Sequence, residues 1–217
     1  DLPYSEEEYL KTYKIPQRGG QGSVSRSADI TEILVADMLQ FLMNYEVPRI
    51  KQLNRSNKNL SEHGTDVIGF KFESSVDEPS RKDILIAAEV KANLSGTNFN
   101  TIKKAVNDSK KDNFRIATTL DYYRLKLKQY GDVDNARKIL RFERKSEIPY
   151  KTIYNAFAIT SLDVIDDNTS VSKGSLDFDV YRINGSDLNL ALNQNVYFVH
   201  GKDLMELAHN VYDRCKE

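Results

Sequence analysis

His63-Gly64-Thr65-Asp66-Val67-Ile68-Gly69-Phe70-Lys71-Phe72 and, past a turn, Ile84-Leu85-Ile86-Ala87-Ala88-Glu89-Val90-Lys91 are the stretches on which the fold depends. The first reads as a strand from Gly64 to Glu73, and the second is a β-branched apolar run of strand length. Val76-Asp77-Glu78-Pro79-Ser80-Arg81 between them has turn composition, so the two strands form a hairpin. In a strand, residues two apart share a face. Glu89 and Lys91 therefore point to one side while Ala88 and Val90 point to the other. A carboxylate at the end of so apolar a run would cost several kcal/mol to bury without a partner. Lys91 sets an ammonium beside it, and the paired strand could bring Asp66 within a few Å of Glu89.

Working outward, Ile30, Ile33, Leu34, Met38, Phe41 and Leu42 recur at helical spacing behind Ser27 or Asp29 as N-cap, which predicts a helix over 28–45 ended by Pro48. Residues 1–27 are acidic and then Gly/Ser-rich, the composition of an irregular lead-in, so a single domain is placed at 28–217. The segment 54–63 is polar and turn-forming. Amphipathic helices are expected over 99–115 and 120–144, strands over 152–160, 178–183 and 195–199, and a terminal helix over 202–214. This order of elements predicts an α/β fold, a mixed central β-sheet flanked by helices.

The chain of 217 residues is long enough for one sizeable core and short for two. Its single cysteine, Cys215, excludes an internal disulfide and a cysteine-based metal cluster, and favours a reducing compartment. No apolar run approaches the roughly 20 residues that span a bilayer, and the acidic start is the opposite of a signal peptide, so a cytoplasmic location and no membrane partner are expected. The net charge of -1 does not advertise a nucleic-acid binder. Its distribution is uneven: Thr101 to Lys151 holds 14 Lys and Arg against 7 Asp and Glu. Such asymmetry marks either a surface that meets polyphosphate or a pair of solvated helices. Within it, Lys103, Lys104, Lys110 and Lys111 are the candidate phosphate contacts.

Asp66 and Glu89, completed by carbonyl or water oxygens, make the hard-oxygen site that Mg²⁺ prefers, and Mn²⁺ can substitute. Such an ion lowers the pKa of bound water and neutralises charge developing on a phosphate. Lys91 would orient or deprotonate the water, or pair with the phosphate as a point charge. Glu32 is a fourth candidate, since its neighbours one turn and two turns on are Val35, Ala36 and Leu39, an apolar stripe in which an acid is out of place. Either Glu32 faces the metal, or it lies at the helix N-terminal edge where the macrodipole favours it. The trio Asp66, Glu89 and Lys91 is open to a second reading as a structural salt-bridge cluster. Acid-x-Lys spacing alone decides nothing, because Glu143-Arg144-Lys145 repeats it in a polar, helical stretch.

Glu32, His63-Gly64-Thr65-Asp66 and Ala88-Glu89-Val90-Lys91 together resemble the PD-(D/E)XK restriction-endonuclease-like superfamily, with Thr65 where the strict motif has proline. More narrowly, the helix followed by His-Gly-Thr-Asp and Ala-Glu-Val-Lys is similar to the HamA C-terminal-type domain, the nuclease subunit of the Hachiman anti-phage defence system. The resemblance rests on short motifs and spans about residues 28–115, or else the whole chain. It implies a restriction-endonuclease-like fold, Asp66 and Glu89 as Mg²⁺ ligands, Lys91 assisting the water, and a DNA endonuclease acting with a helicase partner. The residues themselves support metal-dependent phosphodiester chemistry. A catalytically silent nucleic-acid-binding or scaffolding module with the same fold is the alternative.

Other residues divide similarly. His63 is read as part of the turn that positions Asp66, with a phosphate contact or acid/base role as the alternative. His200 and His209 have no acidic or cysteine residue at ligand spacing and are read as structural. Tyr122, Tyr123 and Tyr130 stand among Arg124, Lys126 and Lys128, a mixture that stacks bases in single-strand binders, though helix core is the plainer role. There is no Walker A sequence, no dinucleotide-binding glycine pattern and no Gly-x-Ser-x-Gly, so NTP hydrolysis is not expected of this chain.

Overall fold

The apolar run of the second strand packs on both faces at once, and that sets the architecture. In the computed structural model, which describes residues 4–51, 57–59, 64–95, 101–161, 172–173, 180–182 and 190–215, six strands form one sheet: β1 (Val67–Lys71), β2 (Ile84–Asn93), β3 (Lys151–Ser161), β4 (Ser172–Lys173), β5 (Val180–Arg182) and β6 (Gln194–Gly201). The order is β1-β2-β3-β6-β5-β4. β1 pairs antiparallel with β2, and β2, β3 and β6 run parallel, so the sheet is mixed. β5 closes antiparallel on β6, and β4 on β5. Central parallel strands are covered on both sides, which is why β2 and β3 read as continuous rather than alternating apolar runs.

Alternate residues of β2 serve different cores. Ile86, Ala88 and Val90 pack with Val35 and Ala36 of α2 (Gln21–Asp37), with Leu39 of the π-helical turn that continues it (Met38–Leu42), and with Ala208 of α6 (Leu204–Arg214). Leu85 turns to the other face, joining Ile68 and Phe70 of β1 with Leu120, Tyr123 and Leu127 of α4 (Asp112–Gln129) and Ile139 and Phe142 of α5 (Val133–Glu143). A third cluster sets Ala105 and Val106 of α3 (Thr101–Ser109) on Ala156, Ala158, Val196 and Phe198. Each fully buried Leu, Ile or Phe contributes about 1.5–3 kcal/mol. Among the described residues no helix is long and apolar enough to cross a membrane.

Three boundaries differ from the sequence expectation. Within the expected irregular lead-in, α1 (Glu6–Tyr9) carries a capping box between Ser5 and Glu8 and runs into a π-helical turn over Leu10–Lys14. α2 starts at Gln21, seven residues early, because Gly20 at φ 56° turns the chain and Gly22 lets the Gln17 backbone approach. A Cβ on Gly22 would lie 2.3 Å from the Gln17 carbonyl oxygen. The glycines that read as loop are the start of a helix. The expected pair of basic helices is three, since the chain breaks after Ser109 and again at Gly131, which has φ 77°, followed by the Asp132 N-cap on the Asn135 N–H. The strand expected at 178–183 is described only over Val180–Arg182, and His63 lies outside the described residues.

Candidate active site

β1 begins at Val67, opposite Ala88, while β2 runs on to Asn93. Beyond Ala88, no strand among the described residues pairs with the β1 side of β2, and Asp66, the residue just before β1, fills that role with its side chain. Its Oδ2 accepts the Val90 N–H at 2.8 Å. This fixes the Asp66 carboxylate beside Glu89, as the hairpin reading requires.

Glu89 is buried and Lys91 is half-buried on the face covered by α3 and α4. Lys91 Nζ pairs with Glu89 Oε1 and reaches Asp108 Oδ2 at 3.2 Å. Glu89 Oε2 is buried and accepts no hydrogen bond from the described residues, with Arg115 Nη1 at 3.7 Å. Burial raises the Glu89 pKa, Asp66 raises it further, and Lys91 opposes both. For Lys91, burial acts downward, but the Glu89 hydrogen bond and charge outweigh it and the ammonium is held above its ordinary range.

Glu32 comes in from α2 and is also buried. It meets a residue that no sequence pattern singles out, Lys51, whose Nζ lies 3.2 Å from Glu32 Oε1 and 2.5 Å from Asp66 Oδ1. Lys51 arrives on an extended segment pinned to β1 by the Glu46–Phe70 bridge, with neighbouring Ile50 in the core against α4 and α5. Burial raises the Glu32 pKa to about 7, Asp66 adds to the rise, and Lys51 acts against it. On Lys51 burial acts downward and is overcome by Asp66 and Glu32, so its pKa stands raised.

Asp112, a buried acid, is a second residue of the site to which the sequence does not point. Placed at the start of α4, it accepts the Thr65 hydroxyl at 3.0 Å, and Thr65 N–H donates to Thr119 Oγ1 at 3.2 Å. Burial, then the nearby Glu89 charge, pushes the Asp112 pKa up to about 7. Thr65, which stands in the proline position of the motif, therefore ties the Asp66 turn to α4.

The structure brings Glu32, Asp66, Glu89 and Lys91 into one site and leaves Glu143 and Lys145 apart from it. Glu143 binds Arg124 Nε at 2.6 Å and Lys145 binds Thr152 Oγ1 at 2.8 Å. Lys103, Lys104 and Lys111 are exposed on α3 and the following turn, and Lys110 is half-buried there. Asp108 joins this turn to the site by pairing with both Lys111, at 2.5 Å, and Lys91. Tyr123 enters the core and Tyr122 packs against it, while Tyr130 is exposed. His209 packs by Arg26 Nη1 at 3.5 Å, and its pKa is lowered by burial and then by that guanidinium.

A cleft of ≈ 490 Å³ opens beside these residues, lined by Glu32, Asp66 and Lys91 together with Ser23, Ser27 and Thr31 of α2. Among the described residues no three Asp, Glu, His or Cys side chains converge as a metal-binding group. Asp66 and Glu89, brought near each other by the Val90 bond, are two acids that could hold a hard cation with water and substrate oxygens supplying the other positions, the arrangement typical of Mg²⁺. The buried Glu89 oxygen without a hydrogen bond is a donor such an ion would use. Among curated proteins none matches the chain. The family model for HamA matches residues 3–215, nearly the whole sequence, and the chain belongs to the HamA family.

Proposed function

We propose that this protein is a Mg²⁺-dependent endodeoxyribonuclease with a restriction-endonuclease-like, PD-(D/E)XK site, the cutting component of a Hachiman-type anti-phage defence that works with a helicase partner. Membership of the HamA family supports the defence role. The observation that carries the chemistry is the junction at the start of β1, where Asp66 is bonded to the Val90 N–H and so held beside Glu89 and Lys91.

Asp66 and Glu89 would hold Mg²⁺ or Mn²⁺, which supplies electrostatic stabilisation of the phosphorane-like charge and a more acidic water. Lys91, as an ammonium with three donors, orients the attacking water or the scissile phosphate. Glu32 acts at one remove, through Lys51, on the position of Asp66. The Ser23 and Thr31 hydroxyls donate to the backbone carbonyls of Arg18 and Ser27, which leaves Ser27 to offer the cleft a hydroxyl donor for phosphate oxygens, and Lys103, Lys104, Lys110 and Lys111 extend the positive surface along the DNA backbone.

Supercoiled plasmid incubated with the chain in Mg²⁺, Mn²⁺ or EDTA tests this reading. Nicking or linearisation is expected with metal alone, and Asp66→Ala and Lys91→Ala abolish it while the circular dichroism spectrum is kept. Cleavage by both variants would sink the assignment. The same ion pairs would also suit a silent binding module, whose mark is salt-sensitive DNA binding with no metal dependence and no nicking at high protein concentration.

A further inference from the structure

Lys51 is a deeply buried lysine beside the site, its side chain only 3% exposed. Its ammonium lies between Asp66 Oδ1 at 2.5 Å and Glu32 Oε1 at 3.2 Å. The other Asp66 oxygen is engaged by the Val90 N–H. Both oxygens of the principal candidate ligand are thus in use within the protein, one of them by a full positive charge. Ile50 in the core and the Glu46–Phe70 bridge hold the backbone that leads to this lysine, so it does not swing out freely.

We propose that Lys51 is a built-in cation that competes with the divalent ion for Asp66 and sets how much metal the site demands. The inference rests on the metal-dependent reading of the site. A divalent ion entering between Asp66 and Glu89 must share Asp66 with the ammonium and accept a like charge close by in a medium that screens poorly. Glu32 stabilises the lysine in place, which makes the pair a fixed element of the pocket rather than a chance contact. Without the ion, the same pair keeps Asp66 from facing Glu32 and Glu89 as an uncompensated carboxylate.

Metal binding in the absence of DNA tests this, by loss of the free Mn²⁺ electron paramagnetic resonance signal and by calorimetry with Mg²⁺. Lys51→Met is expected to bind Mn²⁺ at least about tenfold more tightly than the wild type. Because that variant leaves Glu32 and Asp66 facing each other and can fail to fold, the double change Glu32→Gln with Lys51→Met is measured beside it. The double change removes the pair together and is expected to bind more tightly as well, with a larger rise in melting temperature on adding Mn²⁺. If the wild type binds Mn²⁺ and the folded variants bind equally or more weakly, Lys51 only positions Asp66 and the competition is overturned. If no folded form binds Mn²⁺ at millimolar concentration, the metal reading of the site falls and this inference falls with it.

Discussion

Asp112 shows how a single residue can carry consequences that its place in the sequence does not announce. Its folded pKa of about 7 lies above the ordinary 3.8, so folding disfavours its charged form. The folded state then binds more protons than the unfolded chain between about pH 4 and 7, and stability falls as pH rises through that window. A rise of this size is worth on the order of 4 kcal/mol at most. Glu32, also raised to about 7, acts with the same sign. Urea unfolding in EDTA is therefore expected to give a lower stability at about pH 8 than at about pH 5. Asp112→Asn, which still accepts the Thr65 hydroxyl, should remove about half of that difference. An unchanged difference would show that Asp112 is ionised in the folded protein. Glu89, Lys91 and Asp66 were legible because a charged pair at the end of an apolar strand demands a partner. Lys51 and Asp112 were not, since their partners lie far away in sequence and neither interrupts an apolar pattern.

At the scale of elements, the far end of the hairpin is held by a different buried charge. Arg141 of α5 and Asp83, just before β2, pair at 2.8 Å, both almost fully buried. Arg141 also donates to the carbonyls of Ile148 and Ser80 at 2.9 Å each, and Asp83 accepts the N–H groups of Glu73 and Ser80 at 3.0 Å. The cluster ties α5, the turn and the β3 approach to the root of β2. Removing one member strands the other in the interior, so Arg141→Ala is expected to cost about 3–5 kcal/mol by chemical denaturation. A reduction below about 1 kcal/mol would mean that water reaches Asp83. The strands β1, β2, β3 and β6 were readable because apolar runs of strand length have few alternative fates. The start of α2 was not readable, because Gly20 and Gly22 carry loop composition, and only the turn at Gly20 and the close approach of the Gln17 backbone to Gly22 begin the helix there. The break between α3 and α4 was hidden too, since helical spacing of apolar residues continues across it.

Over the whole molecule, charge is sorted by face. The acids of the candidate site are gathered where β1 gives out, and Lys103, Lys104 and Lys111 of α3 and its following turn stand exposed next to them, linked through Asp108. If these lysines track a DNA backbone, the double change Lys103→Glu with Lys104→Glu should weaken binding about equally for unrelated sequences. It should also reduce the slope of log K against log salt by about 0.9 for each phosphate left without its lysine, with little effect on melting temperature. Binding unaffected at low salt would assign the DNA path to another surface. The sequence alone determined the α/β class, the hairpin, the acid-x-Lys pair and the separation of charge, all of which follow from short-range periodicity and the cost of burying a charge. Only the tertiary structure decided that Asp66 takes the place of a missing strand neighbour, that Lys51 stands between Glu32 and Asp66, and that a glycine-rich stretch begins a helix. Those outcomes depend on which distant groups are brought together away from water, and no local pattern encodes that.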